Sequence, residues 1–212
     1  MEERIFKARA SALGKIMSNA KVKGELSVEC KKYLVEWITD DFEDIDSKYF
    51  RKGNMQEDNC IQLASQVLGI GGISKNEVRM SNEWIEGTCD VDDDLTDTII
   101  DTKCVWSYKT LQDAATKLNK DYEWQLRGYM MLYGRTNAIL FHGLLDTPAE
   151  ANYGIKVVWE HLPIEERWVA YSFTRNLALE EAIIQRVEEC REWIKNYNGE
   201  IKKKLGIINQ IK

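Results

Sequence analysis

Apolar positions recur at helical spacing over residues 3–20, where Ile5, Phe6, Leu13, Ile16 and Met17 carry the pattern and Ser11 and Gly14 interrupt it. Ser27 is placed to N-cap a second helix running to about Asp40, with Cys30, Leu34, Trp37 and Ile38 on one face. A third helix is predicted over 54–69, with Ile61, Leu63, Ala64, Val67 and Leu68 apolar, and it stops at Gly69 and the Gly71-Gly72 pair. The period then changes. Glu83–Val91 reads as a short strand, Asp92-Asp93-Asp94 as a turn, and the β-branched run Asp97–Trp106 as the partner strand of a hairpin. Ser107–Lys120 is polar and reads as a loop or a short helix, and Tyr122–Tyr133 as a helix. Asn137–Leu145, Tyr153–Leu162 and Arg167–Phe173 resemble strands. Leu177 to about Asn196 is an amphipathic helix, which the lysine-rich run after Gly199 either extends or lets fray.

Helices, a hairpin, a helix, further strands and a terminal helix predict a mixed α/β architecture, with a central sheet flanked by helices. The two prolines, Pro148 and Pro163, mark no linker, and no Ser/Gly/Pro-rich stretch divides the chain. One domain is expected across residues 1–212: a helical N-terminal part (1–50), a core (54–175) and a C-terminal helix (177–212).

Composition changes this picture only in places. Hydrophobic residues make up 44% and charged residues 30%, an ordinary globular balance. No apolar run reaches the ~20 residues that span a bilayer, and the first residues lack the apolar core of a signal peptide, so a cytoplasmic protein without a membrane partner is expected. The cysteines Cys30, Cys60, Cys89, Cys104 and Cys190 are scattered and form no C-x-x-C pair, which argues for reduced thiols and against zinc or iron–sulfur sites. His142 and His161 are too few for a histidine-rich metal site and are read as structural.

The net charge of −6 argues against a protein that coats nucleic acid, but its distribution is uneven. Residues 1–36 hold eight Lys/Arg against five Glu, a net of +3, whereas nine acids fall between Lys75 and Lys103 with Arg79 as the only base. Such an acidic knot is either a cation site or a solvated turn, and the charge count alone favours the turn.

The hairpin supplies chemistry. A period of two puts Asp101, Lys103 and Ile99 on one face of their strand, with Ile100 and Thr102 on the other, and the hairpin brings Asp90 alongside. Charged groups converging on an apolar hairpin are costly unless compensated. A divalent cation held by both carboxylates would compensate them. Mg²⁺ prefers hard oxygen ligands, and a lysine beside it would orient water and offset developing negative charge.

Gly87-Thr88-Cys89-Asp90, then Ile99-Ile100-Asp101-Thr102-Lys103, then Gln125-Leu126-Arg127-Gly128-Tyr129 resemble the G-x-x-D, D-x-K and Q-x-x-x-Y elements of PD-(D/E)XK nucleases. The Q-x-x-x-Y element is typical of the RecB-like and lambda-type branches, and Lys52-Gly53 with Glu57 resembles the upstream G-x-x-x-E of the lambda-type phage exonucleases (YqaJ-like viral recombinases). Arg9-Ala10-Ser11-Ala12-Leu13-Gly14 resembles their opening R-x-S segment. The resemblance implies a restriction-endonuclease-like fold and one or two Mg²⁺ or Mn²⁺ ions. Asp90, Asp101, the Thr102 backbone carbonyl and Glu57 would hold metal, and Lys103 would act on the attacking water. Gln125 and Tyr129 would brace the site or touch DNA, and Arg9 and Ser11 would meet a phosphate. The second acid of the D-x-K element is Asp where many relatives carry Glu, and both occur in the superfamily.

The resemblance further implies a 5′→3′ exonuclease on duplex ends, working in the host cytoplasm if phage-encoded, with a trimeric ring and a single-strand annealing protein as partner. The alternatives are a structure-specific endonuclease or RecB-like nuclease of the same fold, and a non-catalytic DNA-end-binding or scaffold protein. Each residue also has a plainer reading: Asp90 as a turn residue, Asp101 and Lys103 as a surface ion pair, Glu57 as helix surface, and Ser11 as a local cap. Asp92 is a minor candidate for a shared metal ligand. Trp106, Tyr108 and Trp124 would stack on bases or, more plainly, pack in the core. Lys202-Lys203-Lys204 is a solvated tail or a DNA contact.

Overall fold

The computed structural model describes residues 4–42 and 46–210, with side chains described up to residue 197. In chain order the elements are β1 (Ala8–Arg9), α1 (Leu13–Ile16), α2 (Val28–Thr39), α3 (Lys48–Leu68), β2 (Met80–Ser81), β3 (Ile85–Gly87), β4 (Val91–Asp93) and β5 (Thr98–Cys104). They continue as α4 (Tyr108–Thr116), α5 (Lys120–Tyr133), β6 (Asn137–Gly143), β7 (Trp168–Thr174) and α6 (Leu177–Gln210). A small sheet runs β1-β3-β2 and the main sheet β4-β5-β6-β7. In the main sheet β5 and β6 are parallel and the outer pairs antiparallel. This is the mixed α/β arrangement expected from the order of elements.

The centre of the main sheet is apolar on both faces because β5 and β6 alternate. Ile99, Ala138 and Leu140 join a core cluster that reaches from Phe6 to Ile194 and includes Leu126 and Met130 of α5. Ile100 and Phe141 face the other way, against Cys60, Ile61, Leu63 and Ala64 of α3. Thus β5 is covered by α5 on one side and by α3 on the other. Among the described residues no helix is long and apolar enough to cross a membrane.

Side-chain caps fix the helix starts. Ser27 accepts from the Cys30 N–H at 3.0 Å, as its position predicted. Ser47 does the same for Phe50, so α3 begins at Lys48, six residues before the predicted start. Ser107 caps α4, which resolves 107–120 into a helix followed by a short connection.

Two predicted elements do not form. Residues 3–20 are not one helix: Ala8 and Arg9 pair in parallel with Ile85 and Glu86, and only a short 3₁₀ turn and α1 follow. Tertiary contact overrides the helical spacing here. A Cβ on Gly87 or Gly128 would stand 3.1 Å and 3.3 Å from the Ala10 Cβ, so those glycines open the slot that the N-terminal segment fills. Tyr153–Leu162 is not a strand either. Only Val157 bridges, to Thr147, and the Trp159 N–H is taken by the Asp146 carboxylate at 2.7 Å. The terminal helix runs on to Gln210, while the side chains of Lys202, Lys203 and Lys204 lie outside the described residues.

Lys52 ties α3 to the sheet. It is wholly buried, and its ammonium donates to the carbonyls of Val105 at 2.8 Å and Leu145 at 2.7 Å, just past the ends of β5 and β6. Burial lowers it from 10.5 to about 8. Lys52→Met leaves both carbonyls without this donor and is expected to cost about 3 kcal/mol in urea unfolding at neutral pH. In the unfolded chain Lys52 keeps its proton up to 10.5, whereas the fold releases it at about 8. Between those values the unfolded state binds more protons, so stability rises with pH, and this contribution is lost as the pH falls through 8. The wild-type advantage over Lys52→Met is therefore expected to be greater at about pH 9.5 than at about pH 7.5. An equal or smaller advantage would mean that the buried amine keeps its charge.

Candidate active site

Asp101 stands in the middle of β5, on the α5 face, with no exposed surface. Its Oδ1 accepts from the Gln125 side-chain amide at 3.1 Å. Its Oδ2 is buried with no well-oriented hydrogen bond, and lies 2.5 Å from the Lys103 ammonium as a charge contact. Burial pushes the Asp101 carboxyl up to about 6, against the downward pull of Lys103. Burial also works to lower Lys103, but the carboxylates of Asp101 and Asp90 outweigh it and hold the ammonium above its ordinary range.

Asp90 is brought in by the hairpin register, in which Val91 faces Ile100. Its Oδ2 accepts from the Thr102 backbone N–H at 2.7 Å and from the Thr102 hydroxyl at 3.0 Å. These two bonds lock the carboxylate across the strand and leave Oδ1 for another partner. Upstream, the Asn76 backbone N–H donates to the Asp90 carbonyl at 2.7 Å, and the Asn76 amide donates to the Cys89 carbonyl at 3.1 Å. Asn76 thereby fixes the approach to Asp90.

Gln125 and Tyr129 lie one turn apart on α5, both buried, and the Gln125 amide donates to the Tyr129 hydroxyl at 3.1 Å as well as to Asp101. Neither is placed as a surface contact, so the geometry fits bracing. Burial, then the Asp101 charge, raises the Tyr129 phenol, which stays protonated. His142 pairs with Lys103 across β5–β6, and burial followed by the Lys103 charge lowers it to about 4. It is neutral, and nothing in its contacts departs from a structural part.

The remaining candidates are placed less closely. Glu57 projects from α3 near Asp101, but its Oε2 accepts from Lys75 at 2.7 Å. Lys75 was invisible to motif reasoning, because it sits in an irregular connection 18 residues from its partner. Arg9 and Ser11 are exposed on the segment that packs along α5, and the Arg9 guanidinium lies over the Phe42 ring at 4.4 Å. They make no hydrogen bond to Asp90, Asp101 or Lys103. Among the described residues no three His, Cys, Asp or Glu side chains already converge as a ligand set.

The acidic turn is not simply solvated. Arg135 grips Asp92 through Nε at 2.6 Å and Nη2 at 3.2 Å, and Asp94 through Nη1 at 2.5 Å. Asp93 is buried and accepts from the Leu95 N–H and the Thr96 hydroxyl. Asp92 is thus occupied by a two-pronged guanidinium, which takes it out of consideration as a metal ligand in this arrangement.

The oxygen-only donors, the buried Asp101 Oδ2 without a proper hydrogen-bond donor, and the uncommitted Asp90 Oδ1 fit a hard divalent cation. No protein-family model matches the chain, and no curated protein matches it. Solved structures do. A phage-related exonuclease from Haemophilus somnus 129PT superposes with a TM-score of 0.79 at 29% identity, covering 93% of this chain and 97% of its own. The alkaline exonuclease LHK-Exo from Laribacter hongkongensis superposes with a TM-score of 0.69 at 16% identity, covering 97% of this chain and 96% of its own. Its complex with dAMP covers 95% of this chain and 94% of its own, again at a TM-score of 0.69 and 16% identity. These two show the shared fold, and the first adds sequence likeness along nearly the whole of both chains. With the motifs occupying the strands and helix that the likeness requires, the chain has the fold of these exonucleases and is similar along nearly its whole length to a phage-related exonuclease.

Proposed function

We propose that the chain, as one nuclease domain, is a Mg²⁺- or Mn²⁺-dependent deoxyribonuclease that degrades duplex DNA from its ends in the 5′→3′ direction. The observation that carries this reading is the Asp101 carboxylate, buried against Lys103 with an oxygen lacking any well-oriented donor, beside a second carboxylate locked by Thr102. A buried charge pair of this kind adds little net stability over apolar side chains, so its presence asks for a chemical purpose.

Asp101, Asp90, the Thr102 carbonyl and Glu57 would hold the cation, Glu57 after leaving Lys75. When bound, such an ion supplies Lewis-acid stabilisation of the charge that builds on the attacked phosphate and makes hydroxide available near neutral pH. Lys103 orients the attacking water and donates to the developing negative charge on the phosphate oxygens. The leaving group is the 3′ oxygen of the neighbouring nucleotide. Gln125 keeps the Asp101 carboxylate from turning, and Tyr129 keeps Gln125 in place. Arg9 and Ser11 would meet a phosphate at the DNA end. Lambda-type likeness supports a homo-oligomeric ring, to be tested by light scattering, a single-strand annealing protein as partner, and action in the host cytoplasm.

End-labelled linear duplex, closed circular duplex and single strands, each with Mg²⁺, Mn²⁺ or EDTA, test the reading. Nucleotide release from the 5′ end of linear duplex is expected, with none from circles or in EDTA. Asp101→Asn and Lys103→Ala are each expected to lower the rate at least about a hundredfold. Cutting of circles would move the reading to an endonuclease. No cleavage of any substrate would leave a DNA-end-binding protein.

Gln125→Leu tests the brace separately. It keeps the size of the side chain but removes the donor to Asp101 Oδ1 and Tyr129. A drop of roughly ten- to a hundredfold in activity or metal affinity is expected, with Tyr129→Phe milder. Wild-type titration by Mn²⁺ in Gln125→Leu would show that the amide only fills space.

A further inference from the structure

A cleft of about 960 Å³ opens beside Lys103, between the end of β5 and helices α4 and α5. That is the size of a small-molecule ligand pocket, at the upper end of the ~300–1,000 Å³ range. Lys103, Tyr122 and His142 stand at its junction with the site described above, and Tyr49 and Trp106 form another part of its wall.

The aromatic residues separate by position. Trp124 packs on the main core and Tyr108 on a smaller one, as structural rings do. Trp106 belongs to no core cluster and meets Tyr49 edge to face, with ring centres 5.1 Å apart. Tyr49 is 58% exposed. The Lys48 ammonium stands 4.6 Å from the Trp106 ring centre and 5.3 Å from that of Tyr49. The charge around the cleft also runs opposite to that of the chain. Lys103, Lys117 and Lys120 line it against the single acid Asp113, in a protein of net charge −6.

An exposed Tyr49 beside a half-buried Trp106, interleaved with lysines and continuous with the candidate phosphate-cleaving site, has the chemistry of a single-strand stacking platform. A base within a duplex has both faces covered by its neighbours, whereas an unpaired base offers a face to a ring. We propose that this cleft is a subsite for an unpaired nucleobase of single-stranded DNA, stacked against Trp106 and Tyr49, with flanking phosphates met by Lys117 and Lys120. The polymer's identity rests on the nuclease reading; the stacking site rests on the cleft itself.

The test uses the full chain in EDTA, so that binding is read without turnover. The probe is a single-stranded oligodeoxynucleotide with 2-aminopurine at its 5′ end, whose fluorescence falls when the base stacks. Wild type is expected to quench it, and Trp106→Ala and Tyr49→Ala each to lose most of the quenching and bind about tenfold more weakly. Trp106→Phe is expected to recover both, and 2-aminopurine held inside a duplex, already quenched by its neighbours, to show no further change when protein is added. Tyr49 is a surface residue, so its variant keeps the test open if Trp106→Ala folds poorly. No quenching by wild type, or unchanged quenching and affinity in Tyr49→Ala and Trp106→Ala, would overturn the subsite. Duplex cleavage is scored separately. Cleavage without stacking removes the subsite and leaves the nuclease reading standing, and stacking without cleavage does the reverse.

Discussion

The structure is organised around a carboxylate that water cannot reach. Asp101 lies within a strand sandwiched between α3 and α5, and removing a lone charge from water to such a place costs several kcal/mol. Lys103 and Gln125 are what make it tolerable, one as counter-charge and one as donor. That requirement sets how close α5 must come to β5. The approach is possible because Gly87 and Gly128 leave room for Ala10, so the N-terminal segment can pack beneath α5 instead of holding it off. Small residues far from the carboxylate are therefore as much a condition of its environment as the lysine beside it.

How legible this was in the sequence depends on how local the cause is. The shared face of Asp101 and Lys103, the i,i+4 pairing of Gln125 with Tyr129 and the Ser27 cap all follow from periodicities within one element. They were readable because no distant residue has to agree. The N-terminal segment was not: its apolar spacing suits a helix, and only the parallel pairing of Ala8 with Ile85 decides otherwise. Lys52 looked like part of a motif flank, yet the carbonyls it binds lie 53 and 93 residues away. The early start of α3 has a local signal in Ser47, whose cap lies several residues before the apolar pattern begins.

The acidic run shows why a charge count misleads. Asp92, Asp93 and Asp94 look like surplus negative charge, but Arg135 takes two of them and the tight turn takes the third. Asp90, bonded to Thr102, and Asp101, paired with Lys103, are left as the carboxylates gathered at β5. The net charge of −6 is thus divided between internal pairs and the surface, and the lysines around the cleft can present a local positive field within an acidic protein.

Glu57 follows the same logic from the opposite direction. Its ion pair with Lys75 is partly exposed, with 28% of the Glu57 side chain and 42% of the Lys75 side chain accessible, so it is worth little in itself. A weak partner is what a conditional ligand needs. A divalent cation seated between Asp90 and Asp101 would attract Glu57 with twice the charge of the Lys75 ammonium, from a position more screened from solvent. Asp101 and Asp90, in contrast, are held by a buried bond from Gln125 and part-buried bonds from Thr102 that such a cation need not break. Under the proposed metal reading, the chain would thereby separate ligands fixed in advance from one free to move.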